Sequence, residues 1–516
     1  FARDRRVAEE VHLRVVARGS LAGVLVLGID LGTQSVKAVV CDAGLAVRGQ
    51  HAVAVTTAYP APDRAEQDPR AWDAALGPAI AGALAAADVD AAAIAAIAIA
   101  GQLDGCVAVD ATGAAVAPAL IWQDRRAVDE AARADAREVF AITGQVADAS
   151  HMAAKIAWLR GRAPGAARFH QPVSYVVERL TGEAVIDPAL ASTTMLLALA
   201  TARWAPRLLD AFAIREAELP RLAPATAIAG PLTAEGARLT GLRAGTPVAV
   251  GTGDDFAGPL GAGVIAPGPI VCVIGTAEVV GALAAQPVLD RAREPMVETH
   301  VYPRVRAADE LFFVENPGWL AGGAVRWAAR MLGAATDREL DALAGQAPPG
   351  ADGVAFVPAL AGAMTPVWRP HARGTLHGLA AGHDRRHVAR AVLEGLAFAT
   401  RDVVTRLAAL GLAARDVVLV GGGARSAVWN QIRADAIGVP HHVAAHADAT
   451  PIGAAMIAAV AAGLAPDLAA LARLAPPPVA TIAPDPAAAA PTAEAYARYQ
   501  RLVAQLAPLA AAPWLQ

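Results

Sequence analysis

The chain has 516 residues, which is enough for two or three domains of ordinary size. Hydrophobic residues make up 55% and charged residues 18%, a composition that favours a large buried core and excludes a mainly disordered chain. The formal net charge is -4, which provides no general basic surface and argues against nucleic acid as a partner.

The cysteines and the hydropathy indicate the cellular compartment and whether the chain spans a membrane. Cys41, Cys106 and Cys272 form no CxxC pair, which argues against a disulfide framework or zinc site and favours a reducing cytoplasm. The longest uncharged stretch, residues 256–275, is broken by glycines and prolines, so no membrane span is predicted. Residues 1–22 mix arginines with acids and lack the apolar run of a secretory signal. We expect them to form a disordered extension.

The first half of the chain has the alternating strand and helix order of an α/β domain. Short apolar runs joined by tight turns predict an antiparallel meander at residues 24–30, 36–41 and 47–55. A helix is predicted at residues 69–87 and a buried strand at residues 94–100. Further helices are predicted at residues 153–160 and 173–180.

The second half repeats the opening pattern. An apolar strand at residues 269–275, a Gly-Thr turn and an apolar run at residues 279–283 match the order seen around Asp30. The remaining predicted elements are a helix at 387–410, a strand at 417–420, a glycine loop at 421–424, a Pro/Ala-rich linker at 476–491 and a closing helix at 492–509. Two halves that open with the same hairpin predict a duplicated fold whose hairpins face each other across a cleft.

The first chemical motif is the turn that follows Asp30, residues 31–35. Backbone N–H groups and a hydroxyl in a Gly-Thr turn suit phosphate oxygens, and Asp30 lies where it would meet hydrated Mg²⁺. An ordinary hairpin turn is the alternative. Lys37 and Lys155 are the only lysines in the chain, which suggests that a lysine is specifically needed there; a solvated surface residue is the simpler reading.

Two further segments carry candidate chemistry. Residues 421–426 follow a strand and open a helix, which suits a nucleotide or, alternatively, a tight turn. Asp254 and Asp255 are adjacent acids in a Gly-flanked, otherwise uncharged stretch. One of them would accept a proton from a substrate hydroxyl during phosphoryl transfer; helix capping explains only one of the two. Residues 101–105 and 122–126 place polar side chains after strands, where α/β sheets bind ligands and where a solvated loop is the alternative.

Together these segments resemble the FGGY carbohydrate kinase family, over nearly the whole chain from Val24 to about Leu509. Each motif is weak alone, but their order and spacing are specific. In chain order they are residues 28–33, residues 66–69 with Trp72, Gly101-Gln102, residues 120–122 with Asp124, residues 142–144, Lys155 with Trp158, Gly253-Asp254, Gly275-Thr276, residues 391–395 and residues 421–426.

The resemblance implies an α/β fold of the actin/Hsp70-like type, in which two RNase H-like domains enclose an interdomain cleft. It implies a first domain at residues 23–265 with the sugar side, the first phosphate loop and the catalytic aspartate, and a nucleotide-binding domain at residues 266–475. Residues 476–516 would be the linker and closing helix. The reaction implied is phosphorylation of a sugar or polyol hydroxyl by ATP with Mg²⁺, in the cytoplasm, and a homodimer is left open.

The family's site residues carry over by position. Asp254 matches the catalytic base, and Asp30 and Asp254 are expected at the metal. The nucleotide-binding residues implied are Thr33, Gln34, Ser35, Lys37, Gly275, Thr276, Gly422, Gly423 and Ala424. The substrate-binding residues implied are Gln102, Leu103, Asp104, Trp122 and Asp255.

Within the family the pattern is most similar to the members that phosphorylate xylulose, so D-xylulose is the expected substrate. Those members usually have His where this chain has Asp104 and Asn where it has Asp255, and carboxylates change which hydroxyls are recognised. Residues 362–366 also lack the family's charged pair, and Ala277 replaces a serine. The alternatives are therefore another ketose or polyol (ribulose, erythrulose or a pentitol), an actin/Hsp70-like ATPase, and a non-catalytic sugar sensor.

Overall fold

The computed structural model describes residues 23–509, except residues 293, 364, 366 and 370. The predicted extension at residues 1–22 and the end of the chain after residue 509 therefore lie outside the described residues. In the described part of the chain no helix is both long and apolar enough to cross a bilayer.

The strands, in chain order, are β1 Leu25–Leu31, β2 Ser35–Asp42, β3 Val47–Ala54, β4 Ala58–Ala61, β5 Arg64–Gln67, β6 Ile94–Gly101, β7 Val107–Val109, β8 Ala119–Leu120, β9 Arg168–His170, β10 Val185–Ile186, β11 Leu197–Ala198, β12 Arg203–Trp204, β13 Arg221–Leu222, β14 Ile228–Pro231, β15 Pro247–Ala249, β16 Thr252–Gly253, β17 Ile270–Ile274, β18 Ala277–Ala284, β19 Glu298–Val301, β20 Phe312–Leu320, β21 Ala355–Val357, β22 Thr375–His377, β23 Val417–Val420, β24 His441–Val443 and β25 Ala480–Ile482.

The helices are α1 Pro69–Ala87, α2 Val128–Ala131, α3 Ala136–Thr143, α4 Met152–Leu159, α5 Pro172–Thr181, α6 Pro188–Ser192, α7 Pro206–Ala211, α8 Ala234–Thr240, α9 Asp254–Gly261, α10 Gly322–Met331, α11 Asp337–Ala344, α12 Arg385–Ala409, α13 Ala427–Ile437, α14 Ala449–Ala461, α15 Leu468–Ala472 and α16 Ala489–Leu506.

Two mixed sheets of equal size form the frame of the molecule. The first has the order β14-β15-β6-β1-β2-β3, with β16 also paired to β6, and the second has the order β19-β20-β18-β17-β23-β24-β25. In the first sheet β1 pairs antiparallel with β2 and parallel with β6. In the second, β17 pairs antiparallel with β18 and parallel with β23. The predicted duplication of a hairpin beside a parallel strand is therefore present in both sheets.

Helix α1 shows how the sequence encodes one of these elements. The side chain of Asp68 accepts a hydrogen bond from the N–H of Arg70 at 3.0 Å, and Pro69 occupies the first turn, where no N–H partner is needed. Trp72 and Leu76 lie on the buried face. The helix ends at Asp88, whose φ of 52° is left-handed. The predicted range of residues 69–87 is confirmed.

The two halves meet through helix α14, which packs against the sheet of the first half. A Cβ atom on Gly28 of β1 would lie 1.9 Å from the carbonyl oxygen of Pro451. Gly261 of α9 and Gly453 of α14 allow an equally close crossing, because a Cβ on either would lie 2.0 Å from a backbone oxygen of the other helix. These contacts hold α9, which begins with Asp254, against an element of the second half.

The prediction of a linker at residues 476–491 is wrong for part of that range, which forms regular secondary structure. Residues 480–482 form β25, the edge strand beside β24, and helix α16 begins at Ala489 rather than at residue 492. Pairing with an exposed strand edge decided the conformation in spite of the proline-rich composition. Pro491 is tolerated because it lies in the first turn of the helix, where a missing N–H costs nothing.

Candidate active site

The candidate catalytic residues meet at one edge of the first sheet, at the carboxyl ends of β1, β6 and β16. Asp30 of β1 pairs in register with Ala100 of β6, and Gly253 of β16 pairs with Gly101. Asp254 follows directly as the first residue of α9. Parallel strands therefore bring Asp30, Asp254 and the loop after Gly101 to the same place.

Asp254 is placed by backbone geometry rather than by a capping role. The residue before it, Gly253, is the N-cap of α9, and no side-chain cap hydrogen bond is formed there. A Cβ on Gly253 would lie 2.4 Å from Cδ2 of Leu103, so a larger residue at this cap would require the Leu103 side chain to move. Burial, together with the charge of Asp104, raises the pKa of Asp254 to about 6.

Asp30 is the second carboxylate of the pair. Burial raises its pKa to about 7, and the neighbouring charges of Asp254 and Asp448 act in the same direction, while Lys37 opposes them. Lys37 makes a 2.6 Å ion pair with Asp448, which precedes α14, so this lysine joins the two halves. Crowded carboxylates with one ammonium group close by form an environment that suits a further cation.

The two predicted phosphate turns contact each other across the cleft. Nε2 of Gln34 in the first turn donates to Oγ1 of Thr276 in the second, at 2.9 Å. Nη2 of Arg326, from α10, donates to the same hydroxyl at 3.0 Å. Thr33 is fixed by two hydrogen bonds from the first half of the chain. Nε1 of Trp122 donates to its Oγ1 at 3.0 Å, and Nε2 of Gln67 donates to its carbonyl at 2.7 Å.

The sequence prediction did not include Arg326. Its side chain is exposed and reaches the threonine of the second turn, where an arginine is well suited to phosphate. In the sequence Arg326 is one of two arginines in a short helix that also contains three alanines, a pattern that by itself does not indicate a phosphate site. Of the remaining residues assigned to the phosphates, Ser35 begins β2 and Gly275 ends the β17 turn, where its N–H donates to the carbonyl of Ala277.

The glycine loop follows β23, which lies beside β17 in the sheet. Gly421 has a φ of 96°, and a Cβ there would lie 2.4 Å from the carbonyl of Ile274, so only glycine fits. Gly422 has open space where a Cβ would be, whereas Gly423 packs against Ile274 and Ala424 is buried. The loop therefore lies next to the Gly275-Thr276 turn. Within the loop, Gly422 is the glycine whose Cβ position has no neighbouring atom within 4 Å.

Asp104, which is predicted to contact the substrate, has an uncommon backbone conformation. Its φ is 57°, which is left-handed. Its N–H donates to Oε1 of Gln171 at 3.0 Å, and its carbonyl accepts from Nζ of Lys155 at 2.7 Å. Lys155 is fully buried and also donates to the carbonyls of Ile121 and Ser150. The reading of Lys155 as a solvated residue is therefore wrong, because its ammonium group joins three loops; burial lowers its pKa to about 8.

Four residues that the sequence prediction missed surround Asp104 and Asp255. They are His151, Glu298, His300 and Glu315. Nδ1 of His151 lies 3.2 Å from Oδ1 of Asp104, and its Nε2 lies 3.6 Å from Oε1 of Glu298. Burial opposes the charged imidazole, but Asp104 and Glu298 raise the pKa of His151 well above its ordinary value.

Glu315 adds a carboxyl group from the second sheet. It is 2% exposed, and its Oε1 lies 3.2 Å from Nε2 of His300. Burial, followed by the charges of Glu298, Asp104 and Asp254, raises its pKa well above the usual range. Burial and Glu315 similarly raise the pKa of Asp255. The only sequence signal was a polar pair, Glu315-Asn316, in the mainly apolar run of β20.

The unusual segment at residues 362–366 does not belong to this cluster. Ala363 and Thr365 line a separate apolar cavity of about 300 Å³ beside α16. Met364 and Pro366 lie outside the described residues.

The chain is similar to known proteins over most of its length. The model of the N-terminal domain of the FGGY family of carbohydrate kinases matches residues 25–261, and the model of the C-terminal domain matches residues 270–462. Xylulose kinase from Escherichia coli (strain K12) is 32% identical, with 94% of this chain and 100% of that protein covered. Glycerol kinase from Gloeobacter violaceus is 34% identical, with 89% and 92% covered.

A solved structure shows the same architecture. The crystal structure of a xylulose kinase from Brucella ovis has a TM-score of 0.85 and 32% identity, and the match covers 94% of this chain and 100% of that one. The two-domain α/β fold of the actin-like kinases is thereby confirmed, and a protein-binding ATPase of the Hsp70 type is excluded. This chain belongs to the FGGY family of carbohydrate kinases and is an ATP-dependent phosphotransferase that acts on a carbohydrate.

Proposed function

We propose that this kinase transfers the γ-phosphoryl group of ATP to the terminal hydroxyl of a small acyclic carbohydrate, with Asp254 as the general base. One observation carries the proposal: Asp254 lies beside Asp30 at the sheet edge, where the two phosphate turns also meet through Gln34 and Thr276. D-xylulose, which would give D-xylulose 5-phosphate, is the first candidate because of the likeness to xylulose kinases.

Positioning is the main task of a protein in phosphoryl transfer. Thr33, Gln34 and Ser35 would hold phosphate oxygens from one side of the cleft. Lys37 adds positive charge there, and Gly275, Thr276 and Arg326 would hold phosphate from the other side. The loop of Gly422, Gly423 and Ala424 would contact the adenosine, with Gly422 nearest because its backbone is open.

Asp30 and Asp254 fit a magnesium ion. They are crowded acids, and each would be relieved of repulsion by a cation. Within the described residues no three His, Cys, Asp or Glu side chains form a closed metal cage. This suits Mg²⁺, which takes one or two carboxylates and retains water. When bound, it would neutralise charge that develops on the phosphates.

The proton of the attacking hydroxyl would pass to a carboxylate oxygen of Asp254. Asp104, Asp255, Gln102 and Leu103 lie around this point and would orient the substrate. Trp122 would act partly through Thr33, to which its indole N–H is already committed. Closure of the two domains would exclude water from the transfer.

A specific observation favours a second candidate, a polyol. Asp104, Asp255 and Glu315 place carboxyl groups close together where the substrate would bind, and glycerol kinases are as similar in sequence as xylulose kinases.

The proposed cellular location is the cytoplasm, since Cys41, Cys106 and Cys272 are all buried free thiols. The domain limits and the homodimer stay predictions.

Replacing the base tests the proposal. We expect Asp254→Asn to lower kcat for ATP-dependent sugar phosphorylation by roughly 10²–10⁴, the usual contribution of general base catalysis. Because burial penalises the charged form of Asp254, the amide variant should melt at or above the wild-type temperature at pH 8. Near-normal turnover of a folded variant would show that another residue is the base.

A further inference from the structure

Lys155 is a buried cation that the proposed phosphoryl transfer does not use. It lies on helix α4, and its side chain is fully buried. Its Nζ donates to the carbonyl of Asp104 at 2.7 Å, to that of Ile121 at 2.8 Å and to that of Ser150. These three bonds use every hydrogen of the ammonium group, so none is left for a ligand. Any effect of Lys155 on the reaction is therefore exerted through the loops that it contacts.

Each of the three carbonyls belongs to a segment of the proposed substrate site. Asp104 is itself a predicted substrate contact. Ile121 directly precedes Trp122, which is another. Ser150 directly precedes His151, whose Nδ1 lies 3.2 Å from Oδ1 of Asp104. One ammonium group therefore joins the three segments that carry these side chains.

The backbone of Asp104 needs such support because its φ of 57° is left-handed. A residue with a β-carbon keeps this conformation only where its surroundings enforce it. The N–H of Asp104 donates to Oε1 of Gln171 at 3.0 Å, and its carbonyl accepts from Lys155. Nε2 of Gln171 is itself fixed by the carbonyl of Leu190 and by Oγ1 of Thr193, each at 2.9 Å. Both peptide groups that flank Asp104 are thus held by buried side chains.

The carboxylate of Asp104 stays accessible and close to the proposed base. Its side chain is 19% exposed, although its backbone partners are buried. Its charge acts on Asp254, and the adjacent Leu103 lies against Gly253, the cap of the helix that begins with the base. A shift of the backbone at Asp104 would therefore displace groups beside the proposed reacting centre.

Three carbonyls that converge on one nitrogen favour a lysine over an arginine. An ammonium group has three donors on a single atom, whereas a guanidinium group spreads five donors over a planar fork. In this chain all cationic side chains other than Lys155 and Lys37 are arginines or histidines. We propose that Lys155 is a positioning residue that sets the affinity for the carbohydrate by holding Asp104 in its left-handed conformation. This inference rests on the proposed function, in which Asp104 contacts the carbohydrate.

Lys155→Met tests the proposal, because it keeps a long unbranched side chain and removes all three donors. The purified full chain is assayed with ATP and Mg²⁺ on D-xylulose, D-ribulose, ribitol and glycerol, and the best of these is used for the variants. At pH 7 Lys155 is charged, since burial lowers its pKa only to about 8. We expect KM for the carbohydrate to rise about tenfold or more while KM for ATP stays within about twofold, because a misplacement of about 1 Å suffices for such a loss.

Lys155→Arg separates the charge from the geometry. It keeps a cation, but a planar fork cannot direct three donors from one atom, so KM for the carbohydrate should lie between the values of the wild type and Lys155→Met. Arg160→Met is the matched control. Arg160 ends the same helix and pairs at 2.8 Å with Glu218, which belongs to none of the segments assigned to the site. This control should keep both KM values.

A double-mutant cycle shows whether Lys155 acts through Asp104. Asp104→Gly removes the carboxylate, and glycine adopts the left-handed conformation without support. In this background Lys155→Met should change KM for the carbohydrate by less than about twofold, because no side chain remains to be positioned. A lysine that served only general stability would have the same effect in both backgrounds.

The results separate this inference from the proposed function. The inference is wrong if folded Lys155→Met keeps the wild-type KM for the carbohydrate, raises both KM values equally, or has the same effect with and without Asp104→Gly. A wild-type KM in Lys155→Arg would also overturn it, because charge alone would then suffice. If Lys155→Met does not fold, as thermal melting will show, Lys155→Arg in both backgrounds decides. Absence of phosphorylation of all four substrates by the wild type would overturn the proposed function, and the inference with it.

Discussion

Single residues in the cleft show how burial tunes acid strength. Asp254 and Asp30 are raised in pKa to about 6 and about 7, mainly because each is removed from water. For Asp254 this places the protonation equilibrium close to neutral pH, where a general base is most effective. The cost is stability, because a buried carboxylate is less favourable when ionised.

The raised pKa of Asp254 predicts the pH dependence of the reaction. An acid titrating near pH 6 is ionised above that value and loses its charge below it, so kcat/KM for the sugar should fall about tenfold per pH unit below pH 6. Initial rates between pH 4.5 and 8.5, with circular dichroism at each pH to verify folding, provide the measurement. A flat profile down to pH 4.5 in folded protein would contradict Asp254 as the base.

At the scale of elements, glycines bring helices α9 and α14 together. The crossing at Gly261 and Gly453 allows the two backbones to touch, so α14 of the second half supports the helix that begins with the base. An amphipathic pattern would not reveal this contact, since both helices are composed mainly of small apolar residues. The position of Asp254 therefore depends on a helix almost 200 residues away in the sequence.

We expect Gly453→Ala to disturb both stability and rate. The new Cβ would lie 2.0 Å from the carbonyl of Ala257, and backbone must shift to accommodate it. Overpacking of this kind costs about 1–3 kcal/mol, and a displaced Asp254 should lower kcat as well. Urea unfolding and steady-state kinetics measure the two effects. The control is Gly382→Ala, which meets no neighbouring atom, and equal behaviour of the two variants would refute the role of the crossing.

At the scale of the whole molecule, the two halves contact each other at Thr276, in the second of the predicted phosphate turns. Its hydroxyl accepts from Gln34 of the first half and from Arg326 of the second. The ion pair between Lys37 and Asp448 joins the halves a second time. The proposed nucleotide site is therefore formed by turns from both halves, and the packing of the two halves sets the distance between these turns.

Arg326→Gln tests this arrangement. Loss of a charge-assisted donor to phosphate should raise KM for ATP about tenfold while KM for the carbohydrate stays within twofold. Arg330→Gln, an exposed arginine one turn further along α10, is the matched control. Steady-state kinetics with each substrate varied in turn give the answer, and equal KM values for ATP in both variants would remove Arg326 from the nucleotide site.

Local sequence determined the elements and the family of this protein. The apolar runs of β1, β6, β17 and β23 and the capped helix α1 are encoded within short stretches, so their positions were predicted closely. The family followed from motifs whose order survives in the linear chain. The strand at residues 480–482 was missed because it forms only by pairing with β24.

Tertiary structure alone decided which side chains surround Asp104 at the proposed substrate site. Asp104, His151, Glu298 and Glu315 lie on separate strands and loops of two sheets, and nothing in their spacing links them. The raised pKa values of His151 and Glu315 depend on burial and on neighbouring charges, and therefore on distances through space rather than along the chain. The sequence by itself therefore determined that the chain is a carbohydrate kinase, whereas only folding decided which groups line the proposed carbohydrate site.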